Sequence, residues 1–358
     1  MSKKASSEKQ TRYQDLLKIL REQALQGEPG SRFASEITSS RRYKVSRSTI
    51  NRIYSELEQA GYLYRKQGSG TFLADKHSYR IVYLLPFDPI NKNNDPNIVA
   101  YGKHLQACCQ AQNIPFEYIE ASPKHTSREM NIHFFEMLDS NSVLVVGGYF
   151  FRRLFDTLKE RKLNVIFLSR QHELDALYRR QLADWHNIII DRRRGMTDLV
   201  TALARQGCKR IALIHTLSHP MNPFLRGFRI GLRLNDLPYI PQLVFHGAMG
   251  VEYTQRRLDT LFELRKLYSF DGLIIIGGIA PTVLQCLDTM EDKLKFPVQI
   301  GVASDSLLKI SSSQELLHLH PPPVEMISDA IISAASQLHT PARRLLNMEL
   351  SRLPGTGK

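Results

Sequence analysis

Cysteine is scarce in this sequence: four in 358 residues, none of them in a CxxC pair. So few cannot staple a chain of this length, so free thiols in a reducing, cytoplasmic compartment are expected. The vicinal Cys108–Cys109 pair falls in a helical pattern and reads as buried thiols. Long hydrophobic runs are missing too. No stretch approaches the roughly 18–20 apolar residues that a membrane span needs, so no membrane partner is expected. Met1–Gln10 is polar and lysine-bearing with no apolar segment behind it, so it reads as a short disordered arm and not as a signal peptide. The sequence also lacks GxGxxG, Walker, GxSxG and HExxH words, which leaves catalysis and nucleotide cofactors without a basis. His318-x-His320 has no third ligand nearby in sequence, so no metal is assigned.

Acidic residues are in deficit, and unevenly so. The chain carries 48 Lys/Arg against 35 Asp/Glu, a formal charge of +13. Residues 1–76 hold 15 basic against 8 acidic side chains, while the rest of the chain is nearly balanced. A basic concentration at one end suits a polyanion, provided that a fold presents it.

The N-terminal pattern predicts such a fold. Tyr13, Leu16, Leu17, Leu20 and Ala24 recur at helical spacing, and Gly27-Glu28-Pro29-Gly30 stops that helix. A second helix is expected over about Ser35 to Arg42, with Ser35 as its N-cap. A third follows Ser46, burying Ile50, Ile53, Tyr54 and Leu57 and displaying Arg47, Ser48, Asn51 and Arg52. Arg, Ser and Asn on the first turns of a helix can reach base edges and phosphates in a major groove. Tyr62–Lys66 and Thr71–Leu73 then read as two short strands around Gln67-Gly68-Ser69-Gly70. Gly68 at the tip admits close backbone approach to a minor groove, and Arg65 and Lys66 can meet flanking phosphates.

Several words here, in order, resemble the GntR (gluconate-repressor) family of winged helices. They are Gly27…Pro29-Gly30, Ser35-Glu36, Val45-Ser46-Arg47-Ser48-Thr49-Ile50, Leu57-Glu58-Gln59-Ala60-Gly61-Tyr62-Leu63 and Gln67-Gly68-Ser69-Gly70-Thr71-Phe72. The resemblance covers about residues 10–74 and carries Arg47, Thr49 and Gly68 over as DNA contacts. Two positions depart from it: Ile37 and Asn51 stand where the family usually has arginines.

After a connector, short apolar runs alternate with amphipathic stretches. Strands are expected at Ile81–Leu85, Phe116–Ile119, Val143–Val146, Val165–Leu168, Ile188–Ile190, Ile211–Ile214, Leu243–Phe245, Leu273–Ile276 and Val298–Val302. Helices are expected between them, for example over Thr197–Arg205, Thr254–Leu267 and Thr282–Leu294. That alternation implies parallel sheets covered on both faces, with too many strands for one compact sheet. Two runs, Val143–Gly148 and Leu273–Gly278, end in paired glycines that permit tight turns and can line a ligand cleft. Arg192-Arg193-Arg194 reads as a solvated face that can also pair with an anionic effector.

The stretch Ile190-Asp191…Gly195…Leu199…Leu203…Gln206-Gly207-Cys208-Lys209-Arg210-Ile211-Ala212-Leu213-Ile214, with Arg226-Gly227-Phe228…Gly231-Leu232, resembles the LacI/GalR (lactose/galactose repressor) sensor. That sensor is similar to periplasmic sugar-binding proteins. The resemblance spans about residues 79–354 and implies a cleft between lobes that closes on a small effector, a sugar or sugar derivative. It assigns Arg170, Asp191 and Asp305 to effector binding. Phe224 replaces the family's effector-gripping arginine, for which Arg226 is a candidate substitute, and Gly277-Gly278 replaces its Asn-Asp pair.

The fold class read from the sequence is therefore α/β: a winged helix-turn-helix followed by a two-lobed periplasmic-binding-protein-like domain with two parallel sheets. The expected divisions are an arm at 1–9, the winged helix at 10–74, a linker at 75–79 and the large domain at 80–358. Its first lobe is expected at about 80–190 and 320–342, its second at about 191–319 and 343–358. The function implied is a repressor of double-stranded operator DNA, homodimeric because one winged helix covers too little groove for tight binding alone. Two alternatives remain: an α/β solute-binding or sugar-active protein, and a regulator whose sensor domain only dimerises.

Overall fold

The computed structural model describes residues 2–59, 62–74, 79–86, 96–121, 138–139, 141–169, 177–217, 222–246, 251–289, 298–304, 310, 312–337 and 341–355. It begins with helix α1 (Ser2–Gln26), α2 (Glu36–Tyr43) and α3 (Arg47–Gln59), followed by the antiparallel pair β1 (Leu63–Lys66) and β2 (Gly70–Leu73). The expected disordered arm is thus corrected. The helix starts at Ser2, and neither Gly nor Pro interrupts it before Gly27. Leu16, Leu20 and Ala24 of α1 pack with Ile50, Ile53, Tyr54 and Leu57 of α3 and with Leu63 and Leu73 of the hairpin.

The Gly27–Gly30 breaker has a packing reason. A Cβ at Gly27 would collide with the Leu73 side chain, and Gly30 sits at φ +75°, which favours glycine. Released from the helix, the next segment lies along β2: Phe33 N–H donates to Thr71 O at 2.8 Å and Leu73 N–H to Ser31 O at 2.9 Å.

The remainder forms two six-stranded sheets. One has the order β13 (Arg343–Asn347), β7 (His186–Asp191), β6 (Asn164–Ser169), β5 (Ser142–Gly147), β3 (Arg80–Pro86), β4 (Phe116–Ala121). The other runs β14 (Glu349–Leu353), β12 (Leu316–His320), β11 (Gln299–Ala303), β10 (Gly272–Ile276), β8 (Ile211–His215), β9 (Val244–His246). The registered pairs within them are parallel except β12 with β14. Every residue of β5, β8 and β10 is buried, as near-continuous apolar runs covered on both faces require. All nine expected strands are present within a residue or two, while β12, β13 and β14 were not anticipated. Their Arg, His, Asn and Glu residues hide them from an apolar-run reading.

The helices that follow are α4 (Pro96–Ala111), α5 (Phe155–Glu160), α6 (Arg179–Leu182), α7 (Arg192–Arg205), α8 (Pro223–Leu234), α9 (Val251–Tyr268), α10 (Ala280–Thr289) and α11 (Val324–Ala335). Two compact units emerge: Met1–Phe167 with Ala183–His186 and Ser328–Ala342, and Leu168–Leu182 with Asn187–Ile327 and Arg343–Lys358. The N-terminal helices and hairpin are grouped in the first unit. In the second unit α7 and α8 pack closely, because Gly227 and Gly231 put backbone against Met196 and Val200. Cys109, Cys208 and Cys286 are buried free thiols, and Cys108 is half-buried.

Candidate nucleic-acid interface

Helix α3 starts where Ser46 ends the preceding turn. Its hydroxyl accepts the Thr49 N–H at 3.1 Å and stands 2.8 Å from the Ser48 hydroxyl and 2.7 Å from that of Thr49. This N-cap satisfies a helix-end donor and fixes the first turn. Ile50, Ile53, Tyr54 and Leu57 are at most 1% exposed, and Tyr54 is locked by hydrogen bonds to Ser39 and to the Ala34 carbonyl. The opposite face leaves Arg47, Ser48, Asn51 and Arg52 in solvent.

A residue that sequence reasoning passed over organises this face. Glu36, in the first turn of α2, accepts from Asn51 Nδ2 at 2.8 Å and lies 3.6 Å from both Arg47 and Arg65. Only the fold brings residues 36, 47, 51 and 65 together; no spacing signals it. Arg65 leaves its strand toward α3, bonded to the Ser55 hydroxyl at 3.2 Å and paired with Glu58 at 3.4 Å. Arg52 pairs with Glu56 at 3.7 Å and lies over the Tyr13 ring. Lys66 is exposed beside the hairpin tip, where Gly68 takes φ +73°. Arg32, also unforeseen, is exposed, with its guanidinium 3.2 Å from where a Gly70 Cβ would sit. The surface thus gathers guanidinium, hydroxyl and amide donors around one helix start and one turn, a set suited to phosphates and base edges.

The effector candidates are less gathered. Arg170 and Asp305 lie outside the described residues. Asp191 is buried and caps α7, accepting the Arg194 N–H at 3.0 Å. Arg226 is half-buried on α8. The expectation of a solvated Arg192–Arg194 face needs correction at its first member: Arg192 is 4% exposed, with its guanidinium over the buried Phe224 ring. The ring takes the desolvated cation's face, a contact that solvation of the stretch did not anticipate. Gly148 and Gly277, at φ +70° and +94°, directly follow β5 and β10. The second unit contains a cavity of about 250 Å³ whose described walls include Leu213, His215, Phe228, Arg229, Tyr239 and Val244, and neither Asp191 nor Arg226. Burial, with His246 beside it, lowers the His215 pKa to about 4, so the ring is neutral at physiological pH. His318 and His320 do share a strand, and His318 is hydrogen-bonded to Ser304 at 3.1 Å.

No protein-family model matches the chain. A stretch of 98 residues is 32% identical to the arabinose metabolism transcriptional repressor of Halalkalibacterium halodurans, covering 27% of this chain and 24% of that repressor's length. Among solved structures, the Escherichia coli transcriptional repressor ascG superposes with a TM-score of 0.56 at 14% identity, over 78% of this chain and all of that one. A sugar-binding transcriptional regulator of the LacI family from Escherichia coli, complexed with phosphate, gives 0.54 at 14% identity over the same shares. A transcriptional regulator CelR–cellobiose complex gives 0.54 at 15% identity, over 88% of this chain and 92% of that one. These likenesses establish the fold: α/β, with two parallel-rich sheets that match those of LacI-type, periplasmic-binding-protein-like domains. Among the described residues, no helix is long and apolar enough to cross a membrane.

Proposed function

We propose that this chain is a sequence-specific DNA-binding transcriptional repressor, a GntR-type winged helix fused to a LacI/GalR-type sensor, and not an enzyme. The observation that carries this reading is α3, with an apolar stripe sealed into the core and Arg47, Ser48, Asn51 and Arg52 presented from its opposite face. In this reading Arg47, at the helix start, meets a base edge or phosphate with its planar fork. Ser46, Ser48, Thr49 and Asn51 supply shorter-range donors, and Arg52, Arg65 and Lys66 hold phosphates, with Gly68 admitting the backbone of the turn. Two copies read a two-fold site as a homodimer.

The large domain in this proposal binds a small hydroxylated effector that changes operator affinity. Its support is the shared fold, together with the cellobiose and phosphate named in two of the similar structures. Arg170, Asp191, Arg226 and Asp305 are the proposed contacts. A second reading, a sensor that only pairs subunits, is favoured by one observation: Phe224 is fully buried where the resemblance calls for an effector-gripping arginine.

Selection of the purified full chain against randomised duplexes, with thermal-shift screening of sugars, sugar acids and sugar phosphates, tests both levels. An enriched palindromic site supports the DNA-reading claim, and no enrichment refutes it. A sugar that raises the melting temperature and alters binding to the selected site supports the sensor. Absence of any response across the panel selects the pairing-only reading.

A further inference from the structure

We propose that Glu117, on β4 of the large domain, is a positioning residue for the DNA-reading module, holding it through Arg21 and Tyr62. This proposal rests on the DNA-reading function only for its consequence; the clasp itself is a property of the free protein.

The Glu117 carboxylate gathers three partners. Arg21 of α1 donates to both oxygens at 3.1 and 3.2 Å, and Tyr62, between α3 and β1, donates its hydroxyl at 3.1 Å. Arg80, at the start of β3, donates at 2.7 Å. Arg80 is held in turn by the Ser142 hydroxyl at 2.9 Å and by Asp139 at 3.7 Å. The Arg21 and Arg80 side chains are buried, at 5% and 2% exposed, and meet two carboxylates, Glu117 at 17% and Asp139 at 42%. Burial first, and then Glu117, push the Tyr62 phenol pKa up, which keeps it a neutral donor.

Such a network adds little net stability, because desolvating the charges offsets their attraction. What it imposes is geometry. Arg21 and Tyr62 lie on different elements of the N-terminal module, so two anchors fix its rotation where one would leave a pivot. Tyr62 is also coupled to α3, since its N–H donates to Leu57 O at 2.8 Å, and to the hairpin, since its carbonyl accepts from Ala74 at 3.0 Å. With the clasp closed, a displacement of β3 or β4 is passed to α3, and Glu117 links the large domain to the DNA-reading face.

Arg21→Met tests this gently, because Glu117 keeps Arg80 and Tyr62 while methionine fills the lost volume. Glu117→Gln tests it from the other side, and Arg21→Lys is the conservative rescue. The readout without DNA is the distance distribution between spin labels placed at Lys66 of β1 and Lys103 of α4, both exposed, in the full chain with Cys108 replaced by serine; circular dichroism melting is the check on folding. A released module samples more orientations, so Arg21→Met is expected to broaden that distribution at least about twofold, with Arg21→Lys restoring most of the wild-type width. On a selected palindromic duplex, Arg21→Met should bind more weakly and tolerate altered half-site spacing, while its affinity for a single half-site stays unchanged. A wild-type distribution in a folded Arg21→Met protein overturns the clasp, whether or not Glu117→Gln folds. If the wild type binds no duplex at all, the function fails while the distance comparison still decides the clasp.

Discussion

Glu36 sits beneath the face proposed to meet DNA, and replacing it with glutamine has a calculable outcome. Its carboxylate lies 3.6 Å from Arg47 and 3.6 Å from Arg65. At that distance a unit charge pair is worth about 1 kcal/mol in a water-like medium and about 5 kcal/mol at an effective dielectric constant of about 20. The Arg47 side chain is 68% exposed, which places its pair near the lower limit, and ordering two side chains takes more away. Measured surface pairs of this kind contribute about 0.2–1 kcal/mol. DNA phosphates must compete with both pairs, so Glu36→Gln should tighten binding to scrambled duplex by about 0.5–2 kcal/mol, roughly 2- to 30-fold. Its salt dependence should steepen by about one unit as the released arginines displace more counterions. Glutamine keeps an acceptor for Asn51 but no longer steers Arg47, so discrimination between operator and scrambled DNA should fall. Fluorescence anisotropy at three salt concentrations measures all of this. Scrambled-DNA affinity in Glu36→Gln equal to or weaker than wild type would refute the assignment of this face.

Three further outcomes follow from packing and burial. Tyr54→Phe strips the 2.7 Å hydrogen bonds to Ser39 and to the Ala34 carbonyl, so urea denaturation should report a loss of about 1–2 kcal/mol. Gly227→Ala places a Cβ 2.8 Å from that of Met196 and against the Arg193 carbonyl, forcing α7 and α8 apart; a loss of about 1–3 kcal/mol is expected, and an unchanged denaturation midpoint contradicts the packing. His215 titrates near 4 when folded and near 6.5 when unfolded, so the unfolded chain takes up the proton first. Its contribution is therefore intact above pH 6.5 and falls by about 3 kcal/mol as pH drops toward 4. His215→Gln should flatten that part of the stability profile, and an equally steep profile in the mutant would remove His215 as the cause.

The parts of this fold that were legible in the sequence are those specified locally. Ser35 and Ser46 cap α2 and α3 as their positions before amphipathic stretches implied, and the fully buried runs of β5, β8 and β10 announced themselves as apolar segments. Two of the edge strands did not, because β13 (Arg-Arg-Leu-Leu-Asn) and β14 (Glu-Leu-Ser-Arg-Leu) face solvent along much of their length. Long-range polar partnerships were equally hidden. Nothing around Glu36 marks it as the partner of Asn51, Arg47 and Arg65, and nothing around Glu117 marks it as the partner of Arg21, which precedes it by 96 positions. Periodicity identified which side of α3 is free, since that depends on helical spacing alone. Where Arg65 and Arg192 go depends on tertiary neighbours: one folds back onto α3, the other is buried against Phe224.

The central claim is that the exposed face of α3 reads DNA, and one titration addresses it most directly. Wild type, Arg47→Ala and Arg52→Ala are compared by fluorescence anisotropy on a selected operator and on scrambled duplex across a range of salt. Both side chains are largely exposed, so neither change should lower the melting temperature appreciably. Arg47→Ala should weaken operator binding by about 1–3 kcal/mol per half-site and relax base preference. Arg52→Ala should weaken binding to both duplexes and flatten the salt dependence by about one unit. Wild-type affinity and specificity in Arg47→Ala would mean that α3 does not read DNA.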